Sequence, residues 1–270
     1  MPKGISIHVG LNHVDPNHYE GWDGELGACE ADARDMRTLA KKQGFGGNVL
    51  LLSKQATVEA VTQAIADAAK QLVKGDILFL TYSGHGGQVK DTNGDEKDKD
   101  RMDETWVLFN RQFVDDEAYD LWRKFQAGVR ILVLSDSCHS GTVTRAVPDF
   151  IADGPRPRAM PRSVGEKVEK AHSALYRSIQ AAHPGAEKAR VRASILLISG
   201  CMDNQFSMDG EKNGAFPGTL KKVWAGGRFT GAYRKFRDKI VSLMDETQTP
   251  NYYFIGAANS TFESQKPFTI

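Results

Sequence analysis

The sequence predicts an α/β domain with a mostly parallel sheet, and three observations predict it. In the first half of the chain, short β-branched and leucine-rich runs alternate with stretches of helical periodicity, the signature of successive βαβ units. Two of those runs, residues 76–81 and 129–134, lead into turns of small residues that carry reactive side chains: Tyr82-Ser83-Gly84-His85-Gly86-Gly87 and Asp136-Ser137-Cys138-His139-Ser140-Gly141. With 270 residues, the chain is long enough to bury a substantial core as one such domain.

Each element follows from local pattern. Residues 5–11 read as a first strand, and the polar stretch to Gly27 as a loop. From 28 to 43, Ala31, Met36, Leu39 and Ala40 recur at helical spacing, with Gly44 as the stop. Residues 48–52 form a short strand. Thr57 caps a helix through Val58, Val61, Ile65, Ala68 and Leu72, and Gly75 ends it. Residues 89–104 carry seven acids around Asn93-Gly94 and are read as too polar for core. A strand over 105–109 follows, then a helix opened by Asp115 and Asp116. Three prolines between 154 and 162 predict an exposed, irregular segment. A helical stretch over 164–182, a strand over 193–198, helices near 218–224 and 230–244, and a last strand over 252–257 complete the chain.

Composition narrows the function. Apolar content of 40% and charged content of 26% are those of a globular domain. A net charge of +1 argues against binding nucleic acid through phosphates. Three cysteines, Cys29, Cys138 and Cys201, are too few and too scattered for a disulfide framework or a zinc site, so a reducing, cytoplasmic setting is expected. No apolar run reaches the roughly 18–20 residues of a membrane span, and no signal peptide is legible at the start.

The chemistry lies in the two turns. If their strands are neighbours, His85 and Cys138 meet at the carboxyl edge of the sheet, where open α/β sheets place their sites. A neutral thiol is a weak nucleophile. An imidazole within reach can take its proton and later give one to a leaving amine. The backbone amides of Gly86 and Cys138 are placed to receive a developing oxyanion. Other readings fail on spacing. No Gly-x-Ser-x-Gly elbow surrounds Ser83 or Ser137, a phosphatase loop would need arginine where Thr144 stands, and Gly44-Phe45-Gly46-Gly47 is followed by no Lys-Ser/Thr.

Ser83-Gly84-His85-Gly86-Gly87 together with Asp136-Ser137-Cys138-His139-Ser140-Gly141 resembles the metacaspase branch of the caspase-like cysteine peptidases. Leu26-Gly27-Ala28-Cys29-Glu30-Ala31-Asp32 is similar to another of its segments, as is the stretch from Ile198 through Cys201 and Ser207 to Asp209. The resemblance implies a caspase-hemoglobinase fold, with a sheet of about six or more strands flanked by helices. It implies one domain over 1–270: a p20-like portion (1–141), a linker (142–190) and a p10-like portion (191–270). It also implies a monomeric endopeptidase that cuts protein or peptide substrates after arginine or lysine through a His85–Cys138 dyad, with Cys29, Asp32, Ser83 and Asp136 lining the basic pocket. Two carboxylates beside a thiol would pair with a guanidinium and repel an acid.

Two expectations concern regulation. Asp100, Asp115 and Asp116 resemble three ligands of the family's calcium site, and oxygen ligands suit that ion. The fourth family aspartate falls on Arg145, a cation that would itself neutralise the acids. The linker offers Arg156, Arg158, Arg162, Lys167 and Lys170 as processing sites, cut by the protein itself or by an upstream activating peptidase, as in a zymogen. Two alternatives stay open: a caspase-fold effector acting by binding, and a partner-gated peptidase with one dedicated substrate.

Overall fold

The computed structural model describes residues 1–94, 101–138, 156–186, 188–202 and 205–270. Its centre is a six-stranded sheet in the order β2-β1-β3-β7-β8-β9. The strands are β1 (Gly4–Gly10), β2 (Gly46–Leu52), β3 (Ile77–Ser83), β7 (Arg130–Asp136), β8 (Ser194–Ser199) and β9 (Asn251–Gly256). The first five are parallel, and only β9 runs antiparallel to its neighbour β8.

Strand alternation builds the two faces. On β3, Leu78 and Leu80 pack into one apolar layer while Ile77 and Phe79 pack into the other. On β7 the split is Ile131 and Val133 against Leu132 and Leu134. Because both faces are covered, these strands read as continuous apolar runs. Helices α2 (Val58–Gln71), α3 (Asp115–Arg123) and α4 (Arg162–Ala182) cover the first face with Val61, Ile65, Trp122 and Tyr176. Helices α1 (Cys29–Lys42), α5 (Ala215–Trp224), α6 (Tyr233–Val241) and α7 (Ser260–Ser264) cover the second with Met36, Phe216, Phe236 and Phe262. Thr57 does cap α2: its Oγ1 accepts from Ala60 N at 3.2 Å.

The acidic stretch after His85 departs from expectation. Its ends belong to β4 (Gly86–Lys90) and β5 (Met102–Val107), which with β6 (Gln112–Val114) form a small antiparallel sheet. Asp103, Thr105 and Val107 alternate inward on β5 and are buried, so the run is not wholly solvated. Period-two burial in a short strand is easily masked by flanking acids. Among the described residues, no helix is long and apolar enough to cross a membrane.

Candidate active site

Register places the two motifs together. In the parallel pair β3–β7, Ser83 lies opposite Asp136, so both strands stop at the same level and release His85 and Cys138 side by side at the carboxyl edge. The His85 ring is buried, 4.8 Å from Trp22, and its Nε2 donates to the Gly24 carbonyl at 3.0 Å. That bond assigns the ring proton to Nε2 and leaves Nδ1 as the basic nitrogen. Burial pushes the His85 pKa down to about 4, partly offset by the Gly24 bond, so the imidazole is neutral near pH 7. The Cys138 thiol is buried too, and its Sγ accepts from the Ser207 backbone N–H at 2.6 Å.

The chain's own Arg158 fills the neighbouring pocket. Its side chain has no exposed surface. Nη2 donates to Asp32 Oδ2 and to Asp209 Oδ1, both at 2.8 Å. Nη1 donates to Ser83 Oγ at 2.6 Å and also to Asp136. Burial works against the guanidinium charge, but Asp136 and the other carboxylates outweigh it and hold the group protonated. Burial also pushes Asp136 up, to about 6, against the pull of Arg158. Asp209 ends below the usual carboxylate range: burial raises it, and Arg158 and the Gly27 amide more than compensate.

The backbone of Arg158 is held as firmly as its side chain. Its carbonyl oxygen accepts from Gly86 N and from Cys138 N, each at 3.0 Å, the two amides expected to face an oxyanion. Its N–H donates to the Ser207 carbonyl at 2.8 Å, and Asp209 N donates to the Arg156 carbonyl at 2.8 Å, so residues 156–158 pair antiparallel with 207–209. Beyond the carbonyl, Ala159 packs against Cys138 and Cys201, its backbone interacts with the His85 ring, and Met160 N donates to the Gly86 carbonyl at 2.8 Å.

This corrects the expectation for the proline-rich segment. Arg158, Ala159 and Met160 are buried rather than exposed, because four polar partners and two backbone ladders satisfy a stretch that prolines exclude from helix or central strand. The other basic residues separate. Arg156 stays at the surface, paired with Glu25 at 2.8 Å, Arg162 opens α4 and pairs with Glu166, and Lys167 and Lys170 lie along that helix.

The expected pocket residues Asp32, Ser83 and Asp136 all touch the guanidinium. Cys29 lies beneath, fully buried, with its thiol pushed up to about 12 by burial. Two residues of the pocket were not expected: Asp209, and Gly214, whose N–H donates to Asp32 Oδ1 at 3.2 Å. The signal for Asp209 was Ser207-x-Asp209, a spacing that puts both residues on one side of an extended segment. Of the expected calcium ligands, Asp115 and Asp116 adjoin at the start of α3, and Asp116 is buried and accepts from Asn93 Nδ2 at 3.0 Å. Asp100 and Arg145 lie outside the described residues. Among the described residues, no three His, Cys, Asp or Glu side chains form a group that could hold a metal, so the described acids do not by themselves make up that site.

The caspase-domain family matches residues 14–259. Metacaspase-1 of Kluyveromyces lactis is 30% identical over 256 residues, covering 82% of this chain and 57% of that protein. Metacaspase-1 of Mycosarcoma maydis is 31% identical over 250 residues, covering 80% and 60%. The chain thus spans somewhat over half the length of these relatives. The crystal structure of protein GSU0716 from Geobacter sulfurreducens is 51% identical, with a TM-score of 0.90 and 99% of both chains covered. Caspase-1 from Spodoptera frugiperda shares the fold at 9% identity, with a TM-score of 0.52 over 94% of this chain and 86% of that one. With the family matched over most of its length, the chain belongs to the caspase-domain cysteine peptidases, as a metacaspase-like member.

Proposed function

We propose that the protein is an endopeptidase that cuts after arginine, and more slowly after lysine, and that its own Arg158–Ala159 bond is its first substrate. One observation carries this reading: Arg158 sits with its guanidinium on Asp32, Asp136 and Asp209 while its carbonyl oxygen rests on the Gly86 and Cys138 amides. That is the placement a residue needs on the acyl side of a scissile bond. Arginine is favoured over lysine because the pocket engages both ends of a planar fork, which a single ammonium cannot match.

The chemistry follows from the same contacts. Cys138 Sγ attacks the Arg158 carbonyl carbon, its proton passing to His85 Nδ1. The two amides take the oxyanion, and His85 returns the proton to Ala159 N as the C–N bond breaks. Water then releases Arg158 from the thioester. Because Arg158 is buried, an upstream peptidase could not reach it without opening the site, which supports cleavage by the protein itself.

Fluorogenic peptides ending in Arg, Lys or Asp, tested on the wild type and on Cys138→Ala, check the reading. Arg turnover above Lys, none for Asp and none by the variant is expected. Turnover of the Asp peptide alone overturns it.

A further inference from the structure

The two sides of the Arg158–Ala159 bond are held by different parts of the molecule. On the acyl side, residues 156–158 are gripped by the pocket and by residues 207–209, contacts that any other basic peptide can contest. On the amine side, the chain is part of the fold. Met160 is buried in the first apolar layer, and its methyl end sits over Gly87 and Gly165. Helix α4 follows at once and is anchored far from the pocket. Tyr176 Oη meets His18 Nε2 at 2.9 Å and accepts from Gln112 N at 3.3 Å. Gln180 Oε1 accepts from Thr92 N at 2.8 Å, and its Nε2 donates to the Lys90 carbonyl at 2.9 Å. Val168 and Gln180 have no exposed surface. Cutting the bond removes none of these contacts.

We infer that the new α-amino group of Ala159 stays at the site after the cut and acts as an acyl acceptor, so that the processed protein joins arginine-ended acyl groups to its own Ala159. This rests on the cleavage reading above. The step balances without a further reagent. An acyl donor forms a thioester with Cys138 Sγ. Ala159 N attacks the thioester carbon, a C–N bond forms and the C–S bond breaks. The amine proton passes to His85 Nδ1 and from there to the thiolate. The oxyanion falls on the same Gly86 and Cys138 amides that hold the Arg158 carbonyl.

Water competes for the thioester, and position decides the competition. Groups held in reacting geometry reach effective molarities of about 10⁵–10⁸ M. An α-amine of pKa about 7.7–8.0 is roughly a tenth neutral at pH 7, so ligation should gain on hydrolysis as the pH rises to 8. With Arg158 itself as donor, the same step reseals the chain, which makes the self-cut reversible until the acyl-side strand leaves the pocket.

The test uses the full chain after self-cleavage, incubated at pH 8 with biotinyl-Gly-Pro-Arg-Pro-Arg benzyl ester, which copies residues 154–158 and carries a small leaving group. Mass spectrometry of the fragment that begins at Ala159 should show the biotinyl peptide on its N-terminus, and none when Cys138 is alkylated after the self-cut and before the ester is added. Gln180→Ala, which loosens α4 away from the pocket, should leave ester consumption unchanged and lower the ligation-to-hydrolysis ratio roughly tenfold to a hundredfold. Ester hydrolysed with the fragment unmodified overturns the inference while cleavage after arginine stands. Ester left intact, or a chain that never cuts at Arg158, overturns the cleavage reading and the inference with it.

Discussion

A Cβ at Gly214 would lie 2.5 Å from both Arg158 Nη2 and Asp136 Oδ2. The backbone there is at φ −57°, open to any residue, so glycine is required by the space the guanidinium needs rather than by conformation. Gly214→Ala should therefore cut kcat/KM on Arg peptides by tenfold or more and lower the Tm of the uncut chain, whose own Arg158 fills that space; unchanged turnover would show that the guanidinium binds elsewhere. Asp209 couples the pocket to the start of α1. Its Oδ2 accepts from Gly27 N at 2.6 Å while Oδ1 holds Arg158. Asp209→Asn keeps the shape and removes one of three charges. We expect a loss of about 2 kcal/mol, or roughly thirtyfold in kcat/KM for Arg peptides, measured beside Asp32→Asn. If Asp209→Asn cleaves like the wild type, Asp209 serves α1 alone. Gly214 carries no sequence signal, because it acts through proximity to Arg158, whose own burial no local pattern announces.

At the scale of elements, strand endings set the chemistry. Ser83 opposite Asp136 fixes the level at which β3 and β7 deliver His85 and Cys138, and a slip of one residue would turn either side chain to the wrong face. Those strands were legible because burial on both faces leaves unbroken apolar runs. The β4–β5–β6 sheet was not, since its strands are short and half-polar. Helix α4 was legible as a helix, yet its role as the anchor of the amine-side segment rests on partners at the end of β4 and on β6 that are distant in sequence. At the start of α3, Asp116 stands beside Asn93 with Asp115 adjoining it, and the position seven residues past Cys138 holds Arg145. With a cation where the resemblance calls for an acid, peptidase activity is expected to persist in excess chelator. Activity abolished by chelator and restored by calcium would overturn that expectation.

At the scale of the whole molecule, buried titratable groups couple folding to pH. His8 is buried on β1, where burial and then Arg37 lower its pKa to about 3, and its Nδ1 meets Thr81 Oγ1 at 2.9 Å. His85 is lowered to about 4. For both, the folded value lies below the unfolded one, so the unfolded chain binds more protons and stability falls as the pH drops from about 6.5 towards 4. Asp136, raised to about 6, works in the opposite sense over the same window. Near pH 5, the protons taken up by His8, His85 and the half-buried His18, whose pKa burial and then His172 also lower to about 4, outnumber the one given up by Asp136, a net uptake of at least one on unfolding. Stability should then fall by at least roughly 1.4 kcal/mol per pH unit of acidification, read from urea melts between pH 6.5 and 4.5. A flat profile would mean that these histidines are solvated in the folded state.

The sequence by itself determined the strand–helix alternation and the two turns that carry His85, Asp136 and Cys138. Each is written in local periodicity or in a short string, and parallel strands of matched length bring the strings together almost automatically. Only the tertiary structure decided which of five basic residues enters the pocket, that Asp209 and Gly214 shape it, and that Ala159 and Met160 belong to the fold while Arg158 belongs to the site. Those outcomes depend on charge neutralisation in a buried space shared by segments that lie far apart in the chain. A guanidinium becomes core only where carboxylates from three other segments converge on it, and no window of sequence contains them all.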